Sequence, residues 1–407
     1  MKGLFTGFLA VICFASASAQ VDFSRPTILN GTDAAGSSLV QAQEIVQLAA
    51  QHGYNGIAVG IGSGKITNPD SVDLSGVRTI TRAAMQAGLQ YVCFRLEASI
   101  PDNQAWADKY NGGQLWPVAN RPPSGTWPAI ASIWQQARDI AASEVVAAGK
   151  LPSQALIFIL CNEPGIGGVG GPSLGNWGTM GFYYNLFQAT GDPAWFLVAF
   201  PNELLGAPEG YIEPGFWTML RGIQSLVSFG AKVYAVGFEA ADSSLPGQMS
   251  STSGPDAEWV YAHSDGFAFN VFGPNARPLK DSLTGANTRA SLTLVQEAAA
   301  YKSRVDKVLT VFRANPLLAT KGFMLSEFNV AAARLPVFAD PFPYREELLK
   351  QVMSYSGMDG SLMFTAYSGD VTANSFNLFL RTVVNGTVTV TPIGSHAVGP
   401  AYLGMVP

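Results

Sequence analysis

Charge is scarce in this chain. Only 13% of its 407 residues are Asp, Glu, Lys or Arg, and the formal net charge is −5. Lysine and arginine never cluster beyond a pair, which excludes the basic stripe of a nucleic-acid surface. Histidine and cysteine are scarcer still, with three of each. None falls in a metal-type Cys/His spacing, so neither a metal nor another cofactor is expected. His52, His263 and His396 are scattered and read as structural. Long apolar runs are also missing beyond the N-terminus. No span approaches the roughly 18 residues that a membrane crossing needs. Against these shortages, 48% of the residues are hydrophobic, enough for a substantial core and too many for a disordered chain.

The first twenty residues, "MKGLFTGFLAVICFASASAQ", hold one lysine, a short apolar run and then Ala-Ser-Ala. That is the pattern of a secretory signal cut near Ala19–Gln20. The expected mature chain, residues 20–407, is exported, free of the membrane, a single domain and a monomer. Removal of the signal takes Cys13 with it. Cys93 and Cys161 remain, each inside an expected strand, where they read as small buried residues, with a disulfide as the lesser alternative.

Apolar runs alternate with helix-period segments along the rest of the sequence. Strands are expected at "TILNG" (27–31), "GIAVGIG" (56–62), "YVCFRLEA" (91–98), "ALIFILCNE" (155–163), "KVYAVGFEAA" (232–241), "GFAFNVFG" (266–273), "GFMLSEFN" (322–329) and "SLMFTAYS" (361–368). Helices are expected at 38–53, 77–88, 128–149, 214–229, 291–313 and 344–355. Several strands are continuous apolar runs, as in parallel sheets covered on both faces. Eight strands in this alternation imply an α/β fold, a closed (β/α)8 TIM barrel with long βα loops. The tail "LRTVVNGTVTVTPIG" reads as a hairpin turning on Asn385-Gly386. A closing helix is expected within "SHAVGPAYLGMV".

Functional side chains of such a barrel sit where strands end. Glu97 ends the third strand, Glu163 the fourth, Glu239 the fifth and Glu327 the seventh. Asn270 lies late in the sixth and Tyr367 ends the eighth. Four carboxylates at one rim exceed what stability requires, because buried carboxylates are costly unless paired. Two carboxyls facing each other across a barrel mouth are what glycoside hydrolysis needs, one to protonate the leaving oxygen and one to attack or to activate water.

Asn162-Glu163-Pro164 after the fourth strand and Ser326-Glu327-Phe328 in the seventh resemble clan A retaining glycoside hydrolases, distantly similar to the family 5 cellulases and mannanases. The resemblance covers the barrel order over most of the chain. It implies that Glu163 is the acid/base, that Glu327 is the nucleophile, and that Asn162 hydrogen-bonds the sugar 2-hydroxyl. It further implies hydrolysis of a β-linked polysaccharide or oligosaccharide, a β-glucan or mannan, and aromatics spread over several loops suit an extended cleft and endo action. The chain departs from the family at several positions. Ala58 stands where arginine is usual, and Arg95 is a candidate for the missing guanidinium. Glu97 and Asn270 stand where histidines are usual, Phe272 replaces a tyrosine, and Tyr367 replaces the platform tryptophan. Two alternatives follow: a non-catalytic carbohydrate-binding barrel, and a glycosidase that uses Glu97 or Glu239 in place of one partner.

Arg95, Glu97, Glu239, Asn270 and Tyr367 are thus candidate substrate-binding residues. Trp116 and Trp177 are candidate sugar platforms, with Trp127, Tyr183 and Tyr184 nearby, since apolar sugar faces stack on such rings. Trp134 lies in a helical pattern and reads as core. Three other motifs are decoys. Gly165 to Gly170 fits a dinucleotide fingerprint, but prolines flank it and no helix opens on it. Ser173 sits in a G-x-S-x-G pattern without a strand leading into it. "GIGSGKIT" lacks the Ser/Thr that must follow the P-loop lysine.

Overall fold

The computed structural model describes residues 25–30, 39–61, 66–98, 104–113, 124–162, 214–239, 254–272, 294–329, 355, 357–364, 379–384 and 387–392. In chain order these form β1 (Thr27–Asn30), α1 (Leu39–Gln51), β2 (Gly56–Ile61), α2 (Ser75–Gln86), β3 (Tyr91–Leu96), α3 (Gln104–Tyr110) and α4 (Trp127–Ala147). A one-turn helix α5 (Pro152–Ala155) leads into β4 (Leu156–Leu160), followed by α6 (Pro214–Gln224) and β5 (Lys232–Glu239). Then come α7 (Pro255–Ala262), β6 (Gly266–Phe272), α8 (Leu294–Arg313), β7 (Gly322–Asn329) and β8 (Met358–Phe364).

Strands β1 to β8 pair in sequence order, all parallel, and β8 returns to β1 with Asn30 opposite Phe364. The barrel is therefore closed and has no free edge. Successive strand residues alternate between two separate clusters. Ile28, Ala58, Cys93, Ile157, Ile159, Tyr234, Ala268 and Met324 fill the lumen. Their neighbours, among them Leu29, Ile57, Phe94, Phe158 and Phe269, join the larger core between barrel and helices. A filled lumen makes this a packed core rather than a pore.

The helices bury one stripe each. In α2 the buried residues Val77, Ile80, Thr81, Ala84 and Met85 recur at three- and four-residue spacing. Gly149, at φ +75°, stops the chain after α4 in the left-handed conformation that glycine adopts without a Cβ clash. Between α2 and α4, Arg82 binds Glu144 through two hydrogen bonds of 2.8 Å. Trp134 is buried in α4, as its helical setting implied.

Three helices were not among those expected from the sequence: α3, the one-turn α5 and α7. The short α3 lies in what reads as a polar loop, and it buries Trp106, whose Nε1 donates to Ile66 O at 2.5 Å. The α7 segment follows Gly254 with proline in its first turn and Asp256 and Glu258 beside it, which is a readable helix start. The tail hairpin forms as expected: β9 (Phe379–Val384) and β10 (Thr387–Pro392) are antiparallel, with Val384 opposite Thr387. The helix expected at 344–355 and the closing helix lie outside the described residues, apart from Tyr355. No described helix is long and apolar enough to cross a membrane.

Candidate active site

Three strands break the in–out alternation near their C-terminal ends, and the breaks build the site. On β5, Tyr234 faces the lumen, but Ala235 and Val236 both join the outer core. The β5–β6 register shifts there, so that Gly237 faces inward. On β7, Met324 faces the lumen and Leu325 the outer core, and the next outward residue is Phe328. Leu325 is opposite Phe269 and Glu327 opposite Asn270, which leaves Ser326 as the extra residue of a β-bulge. Ser326 and Glu327 consequently both reach inward partners.

The break on β4 is a left-handed residue. Ile157 and Ile159 face the lumen, and Leu160 and Cys161 both join the outer core. Cys161 has φ +67°, the only positive value among the described non-glycine residues. A side chain in that conformation costs roughly 1–2 kcal/mol, and such strain concentrates at functional sites. The twist turns Asn162 into the barrel. Both backbone groups of Cys161 stay paired, with its N–H donating to Leu96 O at 2.6 Å and its carbonyl accepting from Gly237 N–H at 3.0 Å.

Five buried polar side chains meet at this level: Arg95, Asn162, Asn270, Ser326 and Glu327. The Arg95 guanidinium forms an ion pair with Glu327 through Nη1 and Oε1. It supplies the countercharge that a buried carboxylate requires. Asn162 Nδ2 donates to the same Oε1 at 3.3 Å. Asn270 Nδ2 donates to Asn162 Oδ1 at 3.1 Å, and Ser326 Oγ donates to Asn270 Oδ1 at 2.6 Å. The chain Ser326–Asn270–Asn162–Glu327 runs in one direction, so each amide has a defined orientation. Gly237 makes room for it. A Cβ there would lie 2.7 Å from both Asn162 Oδ1 and Ser326 Oγ.

Glu97 stands one residue beyond β3, partly buried, beside the β4 end. Its Oε2 accepts from Cys161 Sγ at 3.5 Å. Burial pushes its carboxyl above the ordinary value, against the opposing pull of Arg95. Cys93 and Cys161 are both free and buried. One faces the lumen and the other the outer core, which explains why they are not bridged. Burial raises the Cys93 thiol to about 12.

Of the sequence candidates, Arg95, Asn162, Asn270 and Glu327 are brought together, and Glu97 lies beside them. Glu239 ends β5 opposite Asn270. Glu163, Tyr367, Trp116, Trp177, Tyr183 and Tyr184 lie outside the described residues, as do Ser173 and the Gly165–Gly170 pattern. Trp127 is not a loop platform. It is the first residue of α4, and its ring packs where Gly222 of α6 lacks a side chain. Ser326, Gly237 and Cys161 were missed as functional candidates. Only Ser326 carried a signal, as a polar residue beside Glu327 in an apolar strand. Among the described residues no three His, Cys, Asp or Glu side chains converge as a metal site would require.

No family model matches the chain, and no curated protein matches it. Solved structures do. The chain is similar to Thermotoga maritima Cel5A in complex with cellobiose, at 11% identity over 89% of this chain and 94% of that one, with a TM-score of 0.47. It is similar to beta-glucosidase 1317 at 12% identity, covering 91% and 87%, TM-score 0.47. Beta-glycosidase BGL167 gives 12% identity, 94% of each chain and the same TM-score of 0.47. The (β/α)8 class of this chain rests on its own strand pairing.

Proposed function

We propose that the protein is a retaining glycoside hydrolase that cleaves a β-linked polysaccharide or oligosaccharide by double displacement. The observation that carries this reading is Glu327: a buried carboxylate at the C-terminal mouth, held by Arg95 and Asn162. An oriented, charge-compensated carboxylate is what attack on an anomeric carbon demands. Glu163 follows Asn162 by one peptide bond and is the acid/base of the reading. It protonates the leaving oxygen and then, once Glu327 is esterified, takes a proton from the incoming water. A retaining mechanism requires the two carboxyls to stand about 5–5.5 Å apart.

The substrate class we infer is a β-glucan or mannan, cut within the chain, with Trp116, Trp177 and Tyr367 as sugar contacts. The mature protein, residues 20–407, acts as an exported monomer without a cofactor, away from nucleic acid and membrane. The test uses aryl β-glucosides and β-mannosides, then β-glucans, mannans and xylans. Wild type releases product with net retention of anomeric configuration. Glu163→Gln and Glu327→Gln each lose at least about a thousandfold in kcat. A variant of either position that keeps near-full activity defeats the role assignment. Binding of an oligosaccharide without turnover identifies instead a carbohydrate-binding barrel.

A further inference from the structure

We propose that Glu97 is a positioning residue, whose carboxyl braces the left-handed Cys161 peptide and thereby presents Asn162 to Glu327. The brace is a property of the fold, and its effect on turnover rests on the glycosidase reading above.

Four contacts define it. The Glu97 N–H donates to Ile61 O at 3.0 Å, which ties the residue to the end of β2. Its Oε2 accepts from Cys161 Sγ at 3.5 Å. The backbone N–H of Asn162 reaches the same carboxyl. On the far side, Gly237 N–H donates to Cys161 O at 3.0 Å. The peptide linking Cys161 to Asn162 is thus held from β3 on one side and from β5 on the other.

The brace is needed because Cys161 is not glycine. At φ +67° its side chain opposes the conformation, and an unheld residue relaxes to negative φ. Relaxation turns Asn162 away from Glu327 and undoes the 3.3 Å hydrogen bond between them. Arg95 acts on the Glu97 carboxyl through charge, whereas both of its side-chain hydrogen bonds run to the β4 end, so the residue works through Asn162. This assignment differs from a direct sugar contact and from a replacement catalytic carboxyl. It needs only an oxygen acceptor at that place, with no charge and no proton transfer.

The test is a double-mutant cycle on the full chain: wild type, Glu97→Ala, Cys161→Gly and the pair, with Glu97→Gln alongside. Glycine adopts the left-handed conformation unaided, so it makes the brace dispensable. Thermal unfolding is the first readout, independent of any activity. Glu97→Ala lowers Tm in the parent and lowers it less in the Cys161→Gly background. Turnover of 4-nitrophenyl β-glucoside and β-mannoside is the second. Glu97→Ala loses about ten- to a hundredfold in kcat with KM little changed. Glu97→Gln, which keeps the amide oxygen, recovers most of that loss. Adding Cys161→Gly to Glu97→Ala raises kcat again.

Strictly additive Tm changes overturn the brace. So does a Glu97→Gln variant as damaged as Glu97→Ala, which makes the carboxyl itself a reacting group. If Glu97→Ala does not fold, Glu97→Asp, one methylene too short to reach Cys161, takes its place in the cycle. If wild type cleaves neither glycoside, the glycosidase reading fails on those substrates and the Tm cycle alone decides the brace.

Discussion

The two ends of the barrel interior obey different rules. In the lower and middle part, strand residues alternate in and out, and the lumen is filled by Ile28, Ala58, Cys93, Ile157, Ile159, Tyr234, Ala268 and Met324. At the upper end, β4, β5 and β7 abandon the alternation, and the lumen is filled by Arg95, Asn162, Asn270, Ser326 and Glu327. The difference teaches that irregularity here is local and purposeful. A regular strand offers one inward side chain for every two residues. The β7 bulge offers Ser326 and Glu327 in succession, and the β4 twist redirects Asn162. The regular part stabilises the scaffold on which the irregular part is strained.

The sharpest way to break this contrast is at the ion pair. Glu327→Gln is expected to abolish turnover by at least about a thousandfold. Arg95→Met strands a buried carboxylate and costs about 3–5 kcal/mol of stability, read by denaturant unfolding. Combined with Glu327→Gln, the Arg95→Met penalty shrinks, because no uncompensated charge remains. An additive result shows that the pair is not coupled.

Next in size is Gly237→Ala. The added methyl meets Asn162 and Ser326 at 2.7 Å and displaces both. A loss of about a hundredfold in kcat is expected, with a stability loss of about 1–3 kcal/mol. Met324→Ala in the regular part gives the opposite pattern. It opens a cavity costing about 2–5 kcal/mol and leaves kcat within about twofold at temperatures where the variant is folded. If Met324→Ala harms kcat as much as Gly237→Ala does, the division between the two parts is void.

The smallest effect is a pH dependence at Glu97. Its folded carboxyl sits above the ordinary 4.5, so the folded state holds that proton more tightly than the unfolded one. The resulting stabilisation is complete below the unfolded value and is lost as pH rises through the folded value. Glu97→Gln removes this dependence. As pH rises from the ordinary carboxyl value through the raised folded one, wild-type Tm should therefore fall relative to the variant. A constant difference across the range removes burial of Glu97 as a cause.

Much of the scaffold was legible in the sequence because it depends on local pattern. The apolar runs gave the eight strands in order, and Asn385-Gly386 gave the hairpin. The polar residues Arg95, Asn162, Asn270 and Glu327 stood out because each interrupts an apolar strand near its end. The remainder depends on partners distant in sequence. Nothing local marks Gly237 as the space for Asn162 and Ser326, which lie 75 and 89 positions away along the chain. A cysteine at φ +67° has no sequence signature either, since the conformation is imposed by Leu96, Glu97 and Gly237 around it. Trp127 was misplaced for the same reason: its partner, Gly222, belongs to another helix.

The missing side chain at Gly237 also constrains descent. A strand glycine with open space beside it accepts alanine without a clash. This one cannot do so without dislodging groups from two other strands. A lineage that exchanges it must re-equip the fourth and seventh strands together, or surrender the pocket and keep a sound barrel. Among chains of this kind, position 237 is therefore expected to separate those that retain the site from those that retain only the scaffold.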